Sequence, residues 1–333
     1  MNTLAGLRRA GLLLALWATA ESGAAPEPSA QARVGLLVIG DWGFSAPEKR
    51  TPDQQNTARA MAAFARRSPG AFDAVLVPGD NFKVKLAGPE DPQFRQAFEE
   101  MYDAQVLRLP FFAVLGSHDY EYHAAEAQLA YGRQHPDSRW RMAGRWYRVD
   151  LPTAAPLVTV LMLDSDRTAI GKDAWQAQIR WMEGELSKPR TSAWTICVGH
   201  HPLFSDGQHG DNKAMQSAWG PILKKHRVDF YISGHDHVLQ HLQEPDWPTT
   251  FLISGGGGEN THRPVSGRHG PFVRATHGFA ALRFDMRSAR VTLVADTGVV
   301  LHAFERDRSG EIRLLGMTPV GATRAPAKNG ATP

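Results

Sequence analysis

Short apolar segments recur along the chain, and several end at a glycine that is followed by acidic or histidine residues. Amphipathic segments with helical spacing separate them, such as the stripe of Met215, Trp219 and Ile222. The early apolar segments are nearly continuous, as in strands that are covered on both faces. This alternation, which becomes β-rich near the end, predicts an α/β domain with a mixed central sheet or two stacked sheets. The predicted strands cover residues 34–40, 74–79, 111–116, 158–163, 194–199, 228–234, 250–255, 279–285, 291–296 and 299–305.

The first twenty residues have the composition of an export signal. Arg8 and Arg9 precede the apolar run AGLLLALWATA, which ends in a cleavage-site-like Ala-Thr-Ala. The run is too short to span a bilayer, and an uncleaved anchor is the alternative interpretation. We therefore expect a periplasmic or secreted protein with no transmembrane helix after cleavage. The predicted divisions are a signal peptide (1–20), a linker (21–32), a single domain (33–308) and a disordered tail rich in Pro, Gly and Ala (319–333).

Composition excludes several classes of protein. The chain has 333 residues with 42% hydrophobic and 21% charged, which is ordinary for a globular protein. The formal net charge is +3, and no basic arm that would bind nucleic acid is present. The one cysteine, Cys197, cannot form an internal disulfide, and its apolar surroundings indicate a buried small side chain. Nothing in the composition indicates an oligomeric state.

Acidic and histidine residues follow five of the predicted strands directly. In open α/β sheets, ligands bind beyond the carboxyl ends of the strands. A glycine at each turn lets the backbone bend sharply and approach a ligand closely. The residues at these positions are Asp41, Asp80, Ser117, His118, Asp119, His200, His201, His235 and His237.

Five such clusters predict a metal centre. One carboxylate after a strand is usually a helix cap, but five clusters of this kind are not explained by capping. Carboxylate and imidazole ligands without cysteine suit zinc, manganese or iron rather than a closed structural zinc site. Two aspartates and three histidines exceed what one four-coordinate ion requires. They suit two ions about 3.5 Å apart that share one carboxylate.

The motifs at these positions resemble those of a known family. GDWG (40–43), GDNF (79–82), GSHD (116–119), GHHP (199–202) and GHDH (234–237) occur in the order found in calcineurin-like metallophosphoesterases. Within that family, the chain is most similar to tartrate-resistant, or purple, acid phosphatases. The resemblance extends over roughly residues 34–285 and implies a four-layer α/β/β/α sandwich, in which two mixed sheets are flanked by helices and the metals lie over the strand ends.

The resemblance also implies how the ligands divide between the two ions. Asp41, Asp80 and His237 would hold the first ion. Asp80 would bridge to the second ion, which His200 and His235 would complete.

Two histidines near this centre would contact substrate according to the same resemblance. His118 would donate a proton to the leaving group, and His209 would bind the substrate phosphate. Because histidine carries its second proton only in mildly acidic solution, a mildly acidic optimum is expected.

The sequence departs from the family at two ligand positions. Lys83 stands where purple enzymes have the tyrosinate that holds ferric iron and gives the colour, and a charged lysine can do neither. Ser117 replaces an asparagine ligand, so it would act through water or be replaced by His118. We therefore expect divalent Fe, Zn or Mn, weaker binding of the first ion and no purple colour. Lys83 is interpreted either as a solvated loop lysine or as a phosphate contact.

Four further residues lie in or near the motifs. Asp119 and Asp236 would either orient histidines or cap turns. His201 is interpreted as structural. Asp164 follows a predicted strand, but nothing in the sequence pairs with it.

The predicted function is hydrolysis of phosphate monoesters by a metal-bound hydroxide at a dinuclear centre. The substrate would be a phosphorylated small molecule or protein. Two alternatives remain open at this stage: a phosphodiesterase or nucleotide hydrolase on the same centre, and a degenerate scaffold that binds phosphate without turning it over.

Overall fold

The structure is a computed structural model that describes residues 31–42 and 52–316. The predicted signal peptide and tail lie outside the described residues. Within the described part, no helix is both long and apolar enough to cross a membrane.

The strands and helices alternate along the first two-thirds of the chain, as predicted. The helices are α1 (Pro52–Arg66), a short π-helix (Phe94–Glu99), α2 (Ser117–Glu121), α3 (Ala125–Gln134), α4 (Arg167–Ser187) and α5 (Lys213–Lys225). The strands are β1 (Val34–Val38), β2 (Ala74–Val77), β3 (Phe111–Ala113), β4 (Trp140–Arg141), β5 (Tyr147–Leu151), β6 (Val158–Met162), β7 (Trp194–Val198), β8 (Phe230–Ser233), β9 (Leu239–Gln243), β10 (Thr250–Ser254), β11 (Phe272–Arg274), β12 (Gly278–Phe284), β13 (Ser288–Ala295), β14 (Val300–Asp307) and β15 (Ile312–Leu314).

The strands form two mixed sheets. The eight-stranded sheet has the order β15-β14-β13-β12-β1-β2-β3-β4, in which β1 to β4 are parallel and β12 to β15 are antiparallel to their neighbours. The seven-stranded sheet has the order β11-β9-β10-β8-β7-β6-β5, and its four central strands β10, β8, β7 and β6 are parallel. Parallel strands need covering on both faces, which explains the continuous apolar runs at β1, β2, β7 and β8.

The two sheets share one apolar core between them. Trp194 of β7 contacts Phe284 of β12 across the interface, with ring centroids 5.5 Å apart. The Ser254 hydroxyl, at the end of β10, donates to the Val38 carbonyl of β1 at 2.9 Å. Sheet-to-sheet packing of this kind places the strand ends of both sheets along a common edge.

Helices cover the outer faces. Phe64 of α1 packs against Phe279 of β12, with centroids 5.6 Å apart. On the other side, Trp175 of α4 stacks on Trp219 of α5 at 5.2 Å, and Trp219 contacts Tyr231 of β8. Two mixed sheets with flanking helices confirm the predicted α/β/β/α sandwich.

Most elements lie where the sequence predicts them. All ten predicted strands are present, and α1 begins at Pro52, since proline suits the first position of a helix. The residues after Pro92, whose apolar side chains have helical spacing, form a π-helix of six residues. The sequence did not predict β4, β5, β9, β11 or β15, and β15 continues the sheet beyond residue 308, the predicted end of the domain.

Candidate metal centre

Three of the predicted ligands sit on left-handed backbone directly after their strands. The φ angles are 57° at Asp41, 53° at Asp80 and 69° at His235. Side-chain-bearing residues seldom adopt this region, and such strain gathers where a site requires a sharp turn. Backbone hydrogen bonds join the neighbouring turns, because Asp41 N donates to the Gly79 carbonyl at 3.0 Å and Gly234 N donates to the His200 carbonyl at 3.0 Å.

Two glycines make room for the carboxylates. A Cβ on Gly116 would lie 2.1 Å from Asp80 Oδ1, and a Cβ on Gly234 would lie 2.1 Å from Asp41 Oδ2. Only glycine allows backbone and carboxylate to come this close. The glycines of the motifs therefore shape the ligand cluster as well as the turns.

The five predicted aspartate and histidine ligands converge on one buried volume. Asp41, Asp80 and His200 are fully buried, with potential ligand atoms within 4.8 Å of one another. The Nε2 atom of His200 lies 3.3 Å from Asp80 Oδ1 and 3.2 Å from His235 Nδ1. On the other side, His237 Nε2 lies 3.7 Å from Asp41 Oδ1.

Hydrogen bonds orient two of the imidazoles toward the carboxylates. His200 Nδ1 lies 2.9 Å from the Pro78 carbonyl, and His237 Nδ1 lies 2.7 Å from the Asn260 carbonyl. A carbonyl oxygen can only accept, so both Nδ1 atoms carry hydrogen in this network. When it is neutral, as metal binding requires, each imidazole therefore turns an Nε2 lone pair toward Asp80 or Asp41, the arrangement usual for histidines that bind metal.

The charges of the cluster fit divalent cations. Burial raises the pKa of Asp41, and its Oδ2 accepts no hydrogen bond from the described residues. Burial also opposes charge on His200, but Asp80 and Asp41 raise its pKa to about 10. Burial lowers the pKa of His237 to about 3, which keeps that imidazole neutral. Buried carboxylates beside neutral nitrogen lone pairs are the donors that zinc, manganese or iron requires.

The end of β3 places Ser117 and His118 beside Asp80. Ser117 is half-buried and is the first residue of α2. The backbone N–H of His118 donates to Asp80 Oδ1 at 2.9 Å. The His118 ring lies with Nε2 3.6 Å from Asp80 Oδ2 and Nδ1 2.9 Å from Glu121, and 28% of the side chain is exposed. His118 thus reaches the open side of the cluster.

Asp119 supports the loops rather than a histidine. Its carboxylate accepts from the backbone N–H groups of Gly116 at 2.8 Å, Phe82 at 2.9 Å and Asn81 at 3.1 Å. Burial raises the pKa of Asp119 to about 6, although these N–H donors act to lower it. Of its two interpretations, the turn cap is correct.

Lys83 is not a solvated loop lysine, so that interpretation is wrong. Its Nζ lies 2.8 Å from Glu259 Oε2, and the two side chains are only 16% and 14% exposed. Burial raises the pKa of Glu259, and the charge of Lys83 opposes that effect. The positive charge of Lys83 also helps to lower the pKa of His237. The position of the family tyrosine therefore holds a shielded ion pair beside the first predicted metal.

Two further histidines stack on the predicted ligands. His209 stacks on His235 with centroids 4.1 Å apart, and its backbone N–H donates to Asp236 Oδ1 at 3.0 Å. His262 stacks on His237 at 3.9 Å and an interplanar angle of 18°. None of the sequence motifs includes His262 or Glu259. Both follow the glycine run 255–258 at the end of β10, so the strand-end argument applied to one more strand would have found them.

The end of β6 supports the second predicted metal site. Ser165 Oγ accepts from the backbone N–H groups of His200 at 3.0 Å and His201 at 2.8 Å. It also lies 2.8 Å from His201 Nδ1. The expectation that nothing pairs with Asp164 is wrong, because the Tyr120 hydroxyl donates to its carboxylate.

Comparisons with known proteins agree with the geometry of the site. The profile of the calcineurin-like phosphoesterase family matches residues 35–239. Purple acid phosphatase 17 of Arabidopsis thaliana is 33% identical over 289 residues, which cover 81% of this chain and 83% of that protein. Tartrate-resistant acid phosphatase type 5 of Sus scrofa is 28% identical over 242 residues, which cover 67% and 69% of the two chains.

Solved structures share the fold. GAP50, the anchor in the inner membrane complex of Plasmodium, superposes with a TM-score of 0.70 at 22% identity, covering 82% of this chain and 88% of that one. The purple acid phosphatase PPD1 from yellow lupin seeds superposes with a TM-score of 0.63 at 15% identity, covering 84% and 55%. The chain belongs to the calcineurin-like phosphoesterase family, with purple acid phosphatases among its relatives, and is a metal-dependent hydrolase of phosphoric esters.

Proposed function

We propose that this protein hydrolyses phosphate monoesters at a centre of two divalent ions. Asp41, Asp80 and His237 would hold the first ion, and Asp80, His200 and His235 the second. One observation carries the proposal: five side chains from four strand ends meet in a buried volume with imidazole lone pairs facing carboxylates. Asp80 stands nearest the middle of this set and is the proposed bridge.

The protein side chains have distinct roles in this proposal. Bound divalent ions would lower the pKa of coordinated water and so supply a nucleophile near neutral pH. His209 is proposed to bind the phosphate. The Glu121 carboxylate accepts from His118 Nδ1, so a second proton at Nε2 would make His118 the donor to the leaving oxygen. Ser117 is proposed to complete the coordination of the second ion through a water molecule.

The Lys83–Glu259 pair supports the choice of a divalent first ion. Ferric iron in purple enzymes depends on an anionic tyrosinate, and here a cation occupies that position. Fe, Zn or Mn in the divalent state is therefore proposed, with no visible colour.

Two other functions remain candidates. A phosphodiesterase or nucleotide hydrolase would use the same ligands with a different leaving group. A non-catalytic scaffold is favoured by one specific observation, the fold shared with GAP50, which is described as an anchor. The five converging ligands favour catalysis over the scaffold.

The test is turnover of p-nitrophenyl phosphate and bis-p-nitrophenyl phosphate by the purified protein loaded with Zn, Mn or ferrous iron. We expect the monoester to react at least about tenfold faster, activity to disappear with a chelator and to return with metal. Faster reaction of the diester would support the diesterase. No turnover of either ester with any of these ions would support the scaffold.

The remaining features of the proposal come from the sequence. Residues 1–20 support export to the periplasm or the medium, and a single domain that begins near residue 33 and includes β15, with a tail at 319–333, is proposed. The substrate is proposed to be a phosphorylated small molecule or protein.

A further inference from the structure

The loop between β10 and β11 brings an additional imidazole to the first predicted metal. His262 lies on this loop and stacks on His237, the predicted ligand, with centroids 3.9 Å apart. Its ring stands edge-on to His209 at 5.1 Å. The side chain is 17% exposed, so one edge of the ring reaches solvent at the mouth of the centre.

The hydrogen bonds of His262 assign its proton. The backbone N–H of His237 donates to His262 Nδ1 at 3.3 Å, and the Asp236 carboxylate lies 3.5 Å from the same nitrogen. Asp236 Oδ1 already accepts from the backbone N–H of His209 at 3.0 Å, and its 3.5 Å separation from His262 Nδ1 is longer than a usual hydrogen bond. A backbone N–H can only donate, so in the neutral imidazole that accepts from His237 the hydrogen lies on Nε2. In the charged imidazole both nitrogens carry hydrogen. Nε2 is therefore a donor in either form.

This assignment separates His262 from the metal ligands. His200 and His237 direct an Nδ1 hydrogen to a carbonyl and keep an Nε2 lone pair for a cation. His262 has the opposite arrangement, with an N–H at Nε2 that suits an anion. His262, His209 and Asp236 offer atoms within 4.8 Å of one another, but Asp236 accepts from the backbone N–H of His209 and Nδ1 of His262 accepts from the backbone N–H of His237. The group is therefore better explained as a hydrogen-bonded support than as a third metal site.

We propose that His262 is a substrate-binding residue that donates its Nε2 hydrogen to a phosphate oxygen, next to His209. The Nδ1 edge of the ring faces the buried Asp236 and the backbone of His237, and the hydrogen bonds of the described residues give Nε2 no protein partner. Stacking on His237 fixes the ring over the first predicted metal. The inference rests on the proposed function only for the identity of the substrate, because binding of inorganic phosphate tests it without turnover.

The experiment compares the metal-loaded wild type with His262→Phe, His262→Gln and the matched control His135→Phe. Phenylalanine keeps a ring on His237 but has no donor, whereas glutamine offers an amide N–H near the position of Nε2. His135 is a histidine outside the centre, in contact with Glu90. The readouts are metal content, calorimetric binding of inorganic phosphate, and kcat and KM for p-nitrophenyl phosphate.

We expect His262→Phe to weaken phosphate binding and raise KM about tenfold, the effect of losing one hydrogen bond to a charged group. Metal content should stay at the wild-type value, kcat should change less than KM, and His262→Gln should recover most of the binding. His135→Phe should match the wild type.

Two results would overturn the inference. Unchanged phosphate binding in His262→Phe would show that the ring does not contact the anion. Loss of a metal ion in that variant would instead make His262 a ligand or its support. Failure of the proposed function would give a different result: the wild type would bind phosphate but hydrolyse neither ester. In that case, comparing phosphate binding by the wild type and His262→Phe would still test the role of His262.

Discussion

At the scale of single residues, the ion pair at the tyrosine position distinguishes this chain from its purple relatives. Lys83 and Glu259 are shielded from solvent, and removing one partner alone would leave the other buried and unpaired. The pair lies beside His237 and Asp41, as its effects on their pKa values indicate. A tyrosine introduced here therefore needs the neutralisation of Glu259 as well.

The double variant Lys83→Tyr with Glu259→Gln tests this interpretation. After loading with ferric iron, we expect a visible tyrosinate-to-iron absorption band in the double variant and none in the wild type. Lys85→Tyr, on an exposed part of the same loop, is the control and should remain colourless. An equally intense band in the wild type would mean that another group serves as the anionic ligand of the first metal.

The sequence predicted which residues lie together where a motif carried the information. Asp41, Asp80, His200, His235 and His237 lie together because each follows a strand directly, and strand ends meet at one edge. The partner of Lys83 was not predictable in the same way. Glu259 is 176 positions away, and no local pattern indicates which side chain fills that space.

At the scale of elements, the docking of α2 determines where His118 lies. Tyr120, on α2, donates to the buried carboxylate of Asp164 after β6, and Arg145 contacts both side chains. Burial raises the pKa of Asp164 to about 7, which Tyr120 and Arg145 counteract. One buried carboxylate thus ties the helix that carries His118 to the other sheet.

Tyr120→Phe should loosen this attachment. Removal of the hydroxyl leaves a buried carboxylate oxygen without its donor, and we expect a loss of about 1–3 kcal/mol in the free energy of unfolding. Urea denaturation measures it, and kcat/KM should fall because His118 is less well held. Tyr122→Phe is the matched control, since Tyr122 is 38% exposed and ends the same helix. Equal stability of the two variants would contradict this role for Tyr120.

Two physical reasons explain four of the five strands that the sequence missed. β4, β11 and β15 are two or three residues long, too short for a periodic pattern. The strand β9, LQHLQ, contains two glutamines and a histidine, yet Gln240 and His241 are fully buried. Gln240 accepts from Asp206 N and donates to Ser205, and His241 Nδ1 contacts His302 Nε2 at 3.0 Å. Tertiary packing, not local preference, forms this strand.

At the scale of the whole molecule, a pair of histidines joins the two sheets. His241 of β9 is fully buried, stacks on Phe304 at 3.6 Å, and its Nδ1 lies 3.0 Å from His302 Nε2 of β14. Burial, and then the charge of His302, lower the pKa of His241 from 6.5 to about 3. The native sheet contact therefore depends on a neutral imidazole.

This pair should make the fold sensitive to acid. Because the unfolded chain takes up a proton near 6.5 and the folded chain only near 3, the free energy of unfolding should fall as the pH drops through that window. His241→Gln removes this proton uptake, so its stability should vary less with pH. The comparison is urea denaturation at a series of pH values with the exposed-site variant His135→Gln as control. Parallel profiles for His241→Gln and the wild type would contradict the expectation.

Asp80 is the proposed shared ligand of two ions, and elemental analysis of the purified protein tests this role most directly. We expect two divalent ions per chain in the wild type and in Asp173→Ala, an exposed carboxylate on α4. Asp80→Ala should retain at most one ion and lose more activity than the roughly 10–100-fold typical of an outer-shell change. If Asp80→Ala kept both ions and full turnover, the proposed centre would be wrong.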